Sequence, residues 1–160
     1  MSLTLDVQTA CTEPAPEEAE LRRWLSCALA EAGHTRDAEI SLRFTNDIEM
    51  AALNSHYRHR AGSTNVLSFP ADLPPGLDLP LLGDIAVCAP VVLREAREQG
   101  KPARNHWAHM TVHGCLHLLG YDHIEAADAE LMEALETRIL GVLGLPCPYT
   151  LPIEEEPVAS

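Results

Sequence analysis

The residues best suited to chemistry lie together in the stretch from His113 to His123, which reads HGCLHLLGYDH. His113 and His117 are four positions apart, so on a helix they share one face, separated by about 6 Å of rise, and their imidazoles can bind one tetrahedral ion. A third imidazole reaches that ion only if the chain turns back. Gly120 supplies a residue able to take the left-handed conformation that ends a helix, and His123 follows it. Three neutral nitrogen donors with an open fourth position describe a catalytic zinc site, so His113, His117 and His123 are expected to hold one Zn2+. His109 shares the face but stands about 12 Å from His117 along a straight helix, too far for a shared ion. It and His106 are expected to line the cleft or brace the ligands, against the plainer reading of helix-surface residues. Cys115 falls on the opposite side of the helix and is expected to pack.

The ligand positions repeat the H-x-x-x-H-x-x-G-x-x-H pattern of the metzincin peptidases with one departure: the Glu that follows the first His there is Gly114 here. That Glu is the peptidases' general base. Its absence implies that the ion site is kept and the protease chemistry is not.

Periodicity supplies the elements that must position these side chains. Leu3, Leu5 and Val7 alternate as a strand, and the acid-rich stretch from Pro16 opens a helix with an apolar face of Leu21, Leu25 and Leu29, ended at Gly33. Ile40, Leu42 and Phe44 alternate again, and Asn46 with Glu49 forms a capping-box-like start to a helix through about Tyr57, with Arg58 at its exit. Thr64 to Phe69 reads as a short edge strand before a Pro/Asp/Gly loop to Pro80, and Gly83 to Ala89 as the next strand. Pro90 begins a helix to Gly100, and Lys101-Pro102 separates it from the histidine helix. Glu125 to Leu140 forms a last amphipathic helix, whose Glu130, Glu133 and Glu136 are expected to face solvent. The order predicts an α/β (α+β) fold: one small domain over residues 1–150, a mixed four-stranded sheet, about five helices and a zincin-like metal-binding helix. Residues 151–160, with Glu154, Glu155 and Glu156, are expected to be a mobile acidic tail.

The length of 160 residues suits one domain, and 46% hydrophobic with 22% charged residues excludes a disordered or fibrous chain. Five cysteines without a Cys-x-x-Cys pair, no signal-peptide pattern and no membrane-length apolar run lead to the expectation of a reduced, cytoplasmic protein. A net charge of −13 speaks against broad, salt-driven coating of nucleic acid. The charge is uneven, however: residues 58–104 hold six basic against five acidic side chains, whereas both flanks are strongly acidic. An anionic substrate is therefore expected to enter near this middle segment, whose cations are Arg58, Arg60, Arg94, Arg97, Lys101 and Arg104.

Four motifs in order, Tyr57-Arg58, TNVLSFP at 64–70, LGDIAVC at 82–88 and HGCLHLLGYDH, closely resemble the bacterial YbeY family of rRNA maturation factors over nearly the whole chain. The resemblance implies a zinc-dependent, single-strand-specific endoribonuclease acting at the 3′ end of 16S rRNA and in ribosome quality control. Its implied partners are single-stranded rRNA and ribosome or small-subunit components, with no DNA and no membrane. It carries His113, His117 and His123 over as zinc ligands and Arg58 as the functionally important arginine, so Arg58 and His113 are the expected catalytic residues. The HRAGS segment at 59–63 departs from the family's more basic, Pro-containing linker. Asp84 and Asp122 are candidate general bases, though structural roles are favoured for both, and Tyr121 either covers the metal or packs beneath it. A metzincin-like metallopeptidase and a non-catalytic, zinc-containing ribosome assembly factor are the alternatives.

Overall fold

A computed structural model describes residues 2–74, 76, 79–121 and 125–149 of the chain. Alternation of apolar residues builds four strands, each within two residues of its sequence expectation: β1 (Leu3–Thr9), β2 (Ala38–Thr45), β3 (Val66–Pro70) and β4 (Leu81–Cys88). The helices are α1 (Glu18–Glu31), α2 (Asp47–Arg58), α3 (Ala89–Glu98), α4 (Ala103–Leu118) and α5 (Ala126–Val142). The sheet runs β1-β2-β4-β3. The first three strands are parallel, and β3 closes one edge antiparallel to β4. This is the mixed four-stranded sheet with five helices read from the sequence, and Asp122, His123 and the tail at 151–160 lie outside the described residues.

The period of two in β3 divides its side chains between two cores. Leu67 packs with Met50 of α2 and with Ala86, Cys88 and Val91 on one face, with Phe69 beside them. Val66 and Ser68 face the other way, where α4 lies on the sheet. That larger core joins Trp24 of α1, Phe44 of β2, Trp107 and Leu116 of α4 and Ile139 of α5. Phe44 meets Trp107 edge-on with ring centroids 5.3 Å apart. Each such buried aromatic contributes roughly 2–3 kcal/mol through area removed from water.

Two helix ends matter for the site. Asn46 caps α2 by accepting the Glu49 backbone N–H at 2.8 Å, whereas the Glu49 side chain turns to Arg43, so only half of the capping box forms. Helix α4 stops at Leu119, where Gly120 takes φ 99° and Tyr121 returns its N–H to the Leu116 carbonyl at 3.0 Å. The left-handed glycine required by the histidine motif is thus present, in a Schellman-type end.

Candidate metal centre and its cleft

Helix α4 is buried almost all round: from His106 to Leu118 only His113 and His117 keep part of their surface open. Their four-residue spacing sets the two rings edge-on, with centroids 4.6 Å apart, and brings the two Nε2 atoms within 3.1 Å of each other. Both rings line a cleft of about 570 Å³, whose wall is Asn65 and edge strand β3 from Val66 to Ser68 and whose rim carries Arg58 and Arg60. Arg58 is the last residue of α2, and His59 turns the chain with φ 55° and ψ 36°. Buried Asn54 fastens that turn by donating to the Gly62 carbonyl at 2.9 Å, while the Arg60 N–H reaches the Asn54 carbonyl at 3.3 Å. The cations of the 58–60 segment are therefore held at the mouth of the histidine cleft by backbone geometry.

The identity of residue 114 follows from packing. A Cβ added at Gly114 would stand 2.9 Å from Ile85 Cγ2 and 3.3 Å from both Ser68 Oγ and Val66 Cγ2, because α4 rests directly on β3 and β4. Ser68 uses the close approach to donate to the Gly114 carbonyl at 2.9 Å. A glutamate at this position has no room, so the peptidase base is excluded by backbone-to-sheet distance as well as by sequence.

Behind the cleft lies a polar network the sequence reading missed. Glu136 was expected on a solvated acidic face, but it is 0% exposed, although Glu130 and Glu133 are indeed exposed. Its Oε2 accepts from His113 Nδ1 at 2.5 Å, and its Oε1 faces His109 Nε2 at 3.3 Å and the Tyr149 hydroxyl. The reason is the helical period: a three-residue step falls about 60° short of a full turn, so two steps from Glu130 bring residue 136 onto the apolar stripe of Met132, Ile139 and Leu140. Burial by itself would raise the Glu136 carboxyl, but the hydrogen bonds from His109 and His113 outweigh it and hold it at about 2. Burial pulls His109 below the usual imidazole range, against the opposing pull of Glu136, and pushes the Tyr149 hydroxyl up. His109, His113 and Glu136 each present a ligand atom, all within 4.8 Å of one another, a group that could hold a metal ion.

The other expected residues fall as follows. His106 is buried and pairs with Glu95 at 2.8 Å, and that hydrogen bond, with one from Asn65, lowers the Glu95 carboxyl. Cys115 packs in the main core, where burial pushes its thiol up to about 12, so it is inert. Asp84 is exposed on β4 and lines a separate depression with Tyr57 and Phe69, and Tyr121 packs against the main core. Among the expected cations, Arg60 joins Arg58 at the cleft, Lys101 lines another cavity and Arg104 pairs with Glu20 at 2.7 Å.

Comparison with known proteins gives the lineage. The family described as Endoribonuclease YbeY matches residues 6–144. This chain belongs to the YbeY family. The Endoribonuclease YbeY of Pseudomonas entomophila is 56% identical over 148 residues, covering 92% of this chain and 93% of the relative. That of Alkalilimnicola ehrlichii is 56% identical over 154 residues, covering 94% and 93%. The solution structure of TM1509 from Thermotoga maritima matches with a TM-score of 0.54 at 21% identity, covering 95% of this chain and 100% of that one, which shows the shared fold.

Whether the histidine cleft suits a metal ion can be judged on donor chemistry alone. Two neutral imidazole nitrogens 3.1 Å apart repel through their lone pairs unless a proton or a cation lies between them, and tetrahedral ligands on one zinc ion stand at roughly this separation. The donors are of the type a borderline divalent ion prefers, and His113 has its other nitrogen on a carboxylate, as histidines that bind metals generally do. The residues fit the group. Among the described residues, no helix is long and apolar enough to cross a membrane.

Proposed function

We propose that this chain is a zinc-dependent endoribonuclease that cuts single-stranded RNA, with His113, His117 and His123 holding the ion and Arg58 contacting the scissile phosphate. The observation that carries this is the convergence of the His113 and His117 Nε2 atoms in a cleft with Arg58 on its rim, in a chain whose relatives are named endoribonucleases. His123 enters on the motif. The RNA in the cell is ribosomal, at the 3′ end of the small-subunit rRNA, with ribosome or small-subunit components as docking partners in the cytoplasm. This rests on the resemblance of the four motifs to the family.

When bound, the ion supplies a Lewis acid that acidifies water and draws charge from a phosphoryl oxygen. The chain's own residues do the rest. The Arg58 guanidinium, planar and always charged, matches the extra negative charge of a pentacoordinate phosphate better than an ammonium would. Edge strand β3 offers a wall along which an extended, unpaired strand can lie. The net charge of −13 restricts affinity for free RNA to a few phosphates near Arg58 and Arg60, so binding is weak and salt-sensitive. The metallopeptidase alternative lacks a base, for the packing reason at Gly114.

The test is cleavage of an end-labelled RNA, presented either single-stranded or annealed to its complement, by wild type and Arg58→Ala. Cleavage of the single strand only, slowed about 10²- to 10³-fold by Arg58→Ala with zinc content unchanged, is the expected result. Equal cutting of the duplex, or an Arg58→Ala rate equal to wild type, contradicts the reading. A 2′,3′-cyclic phosphate at the new end would mark the RNA's own 2′-hydroxyl as nucleophile, and its absence would mark water.

A further inference from the structure

Glu136 sits fully buried on α5 with both carboxylate oxygens turned towards α4. A carboxylate oxygen and an imidazole nitrogen 2.5 Å apart need a proton between them, since their lone pairs would otherwise repel, and for an ionised carboxylate that proton resides on His113 Nδ1. With Nδ1 committed to Glu136, Nε2 is the ring nitrogen that His113 turns into the cleft, 3.1 Å from His117 Nε2. The carboxylate is itself held from behind: the Tyr149 hydroxyl donates to Oε1, His109 Nε2 lies 3.3 Å from the same oxygen, and the Tyr149 ring stands edge-on to His109 at 5.4 Å. Residue 149 thus reaches back from beyond α5 to brace a side chain that touches the cleft only through His113.

We propose that Glu136 is a positioning residue for the metal-binding imidazoles: braced by Tyr149, its carboxylate fixes His113 as the Nδ1–H tautomer with Nε2 facing the nitrogen of His117. This rests on the reading of His113 and His117 as ligands. It differs from ligation by Glu136, because both of its oxygens are already engaged by donors from three side chains, and binding a metal through Oε2 would break the His113 contact.

The experiment uses the full chain, metal-free and then with zinc or cobalt alone, as wild type, Glu136→Gln, Tyr149→Phe and His117→Ala. Imidazole 15N–1H spectra of the metal-free wild type read the His113 tautomer, competition with a chromophoric chelator reads zinc affinity, and visible absorption of the cobalt form reads the ligand set. The expected results are a proton on Nδ1 of His113 and zinc affinity about 10- to 100-fold weaker in Glu136→Gln, with the cobalt bands of wild type retained. Tyr149→Phe weakens zinc in the same direction by less. A proton on Nε2, unchanged zinc affinity in Glu136→Gln, or cobalt bands showing a lost oxygen ligand overturns the proposal. Should Glu136→Gln fail to fold, Tyr149→Phe decides, and zinc affinity equal to wild type there overturns it. Undiminished zinc affinity in His117→Ala instead sinks the underlying assignment of the ligands, whatever Glu136 does.

Discussion

The two halves of α4 carry two histidines each and treat them in opposite ways. His106 and His109, in the first half, are 2% and 8% exposed, face the carboxylates of Glu95 and Glu136, and each bury an Nδ1 that has no hydrogen-bond partner among the described residues. His113 and His117, in the second half, are partly open and turn their Nε2 atoms towards each other in a cleft. Residue type and helical spacing are nearly the same in both halves. The difference comes from what lies opposite: α3 and α5 shut the first pair in with carboxylates, while the second pair, although His113 keeps its Nδ1 on Glu136 of α5, opens its Nε2 atoms towards β3 and the exit of α2. A histidine's role on a helix is therefore set by the neighbouring element as much as by its own periodicity.

The sharpest way to break this contrast is to exchange the pairs' expected losses. His117→Ala should abolish zinc binding and RNA cleavage while leaving the fold intact, whereas His106→Ala should keep the zinc and lower stability by about 1–3 kcal/mol, because Glu95 loses its buried partner. Metal content and urea unfolding of both variants check this, and retained zinc in His117→Ala would erase the distinction.

The buried pair also gives the metal-free chain a pH signature. Both His109 and Glu136 titrate lower in the folded chain than in the unfolded one, so the unfolded chain takes up protons first and stability falls on acidification. The loss begins as pH drops through the ordinary histidine value of 6.5 and deepens from 4.5 towards 2, with Glu136 contributing up to about 3 kcal/mol. Urea unfolding at a series of pH values should show this, and Glu136→Gln should flatten the profile below pH 5 or so.

A smaller effect separates the open pair from the peptidases. Gly114→Ala should destabilise the chain by about 1–3 kcal/mol through overpacking against Ile85. Denaturant unfolding measures it, and a neutral substitution would show that α4 is free to lift off the sheet. Smallest of all, His59→Gly should raise stability by up to about 1 kcal/mol, since His59 holds the left-handed conformation that turns the chain after Arg58. Thermal unfolding of that variant checks it.

Much of this was legible in the residues. Strand alternation located β1 to β4, and the four-residue histidine spacing with Gly120 located the turn and the open pair, because both are local consequences of backbone geometry. The three-residue spacing groups Glu136 with Glu130 and Glu133, although its register with Met132 and Ile139 marks it as inward-facing. Glu95 and Tyr149 carried no local signal at all: they meet His106 and His109 only because α3 and the segment after α5 pack against α4 in the folded chain. In the motif Gly114 signals only the loss of a base, because its packing against Ile85 and Ser68 depends on the distance between helix and sheet, which one-dimensional pattern does not contain.

The central claim is that His113 and His117 form the ion-binding heart of an RNA-cutting cleft. Its most direct test is zinc stoichiometry of the purified chain, measured together with single-stranded RNA cleavage before chelation, after chelation and after zinc is restored. One zinc per chain, with cleavage lost on chelation and regained on return of the metal, is the expected outcome. Undiminished cleavage by the fully chelated chain would contradict the account.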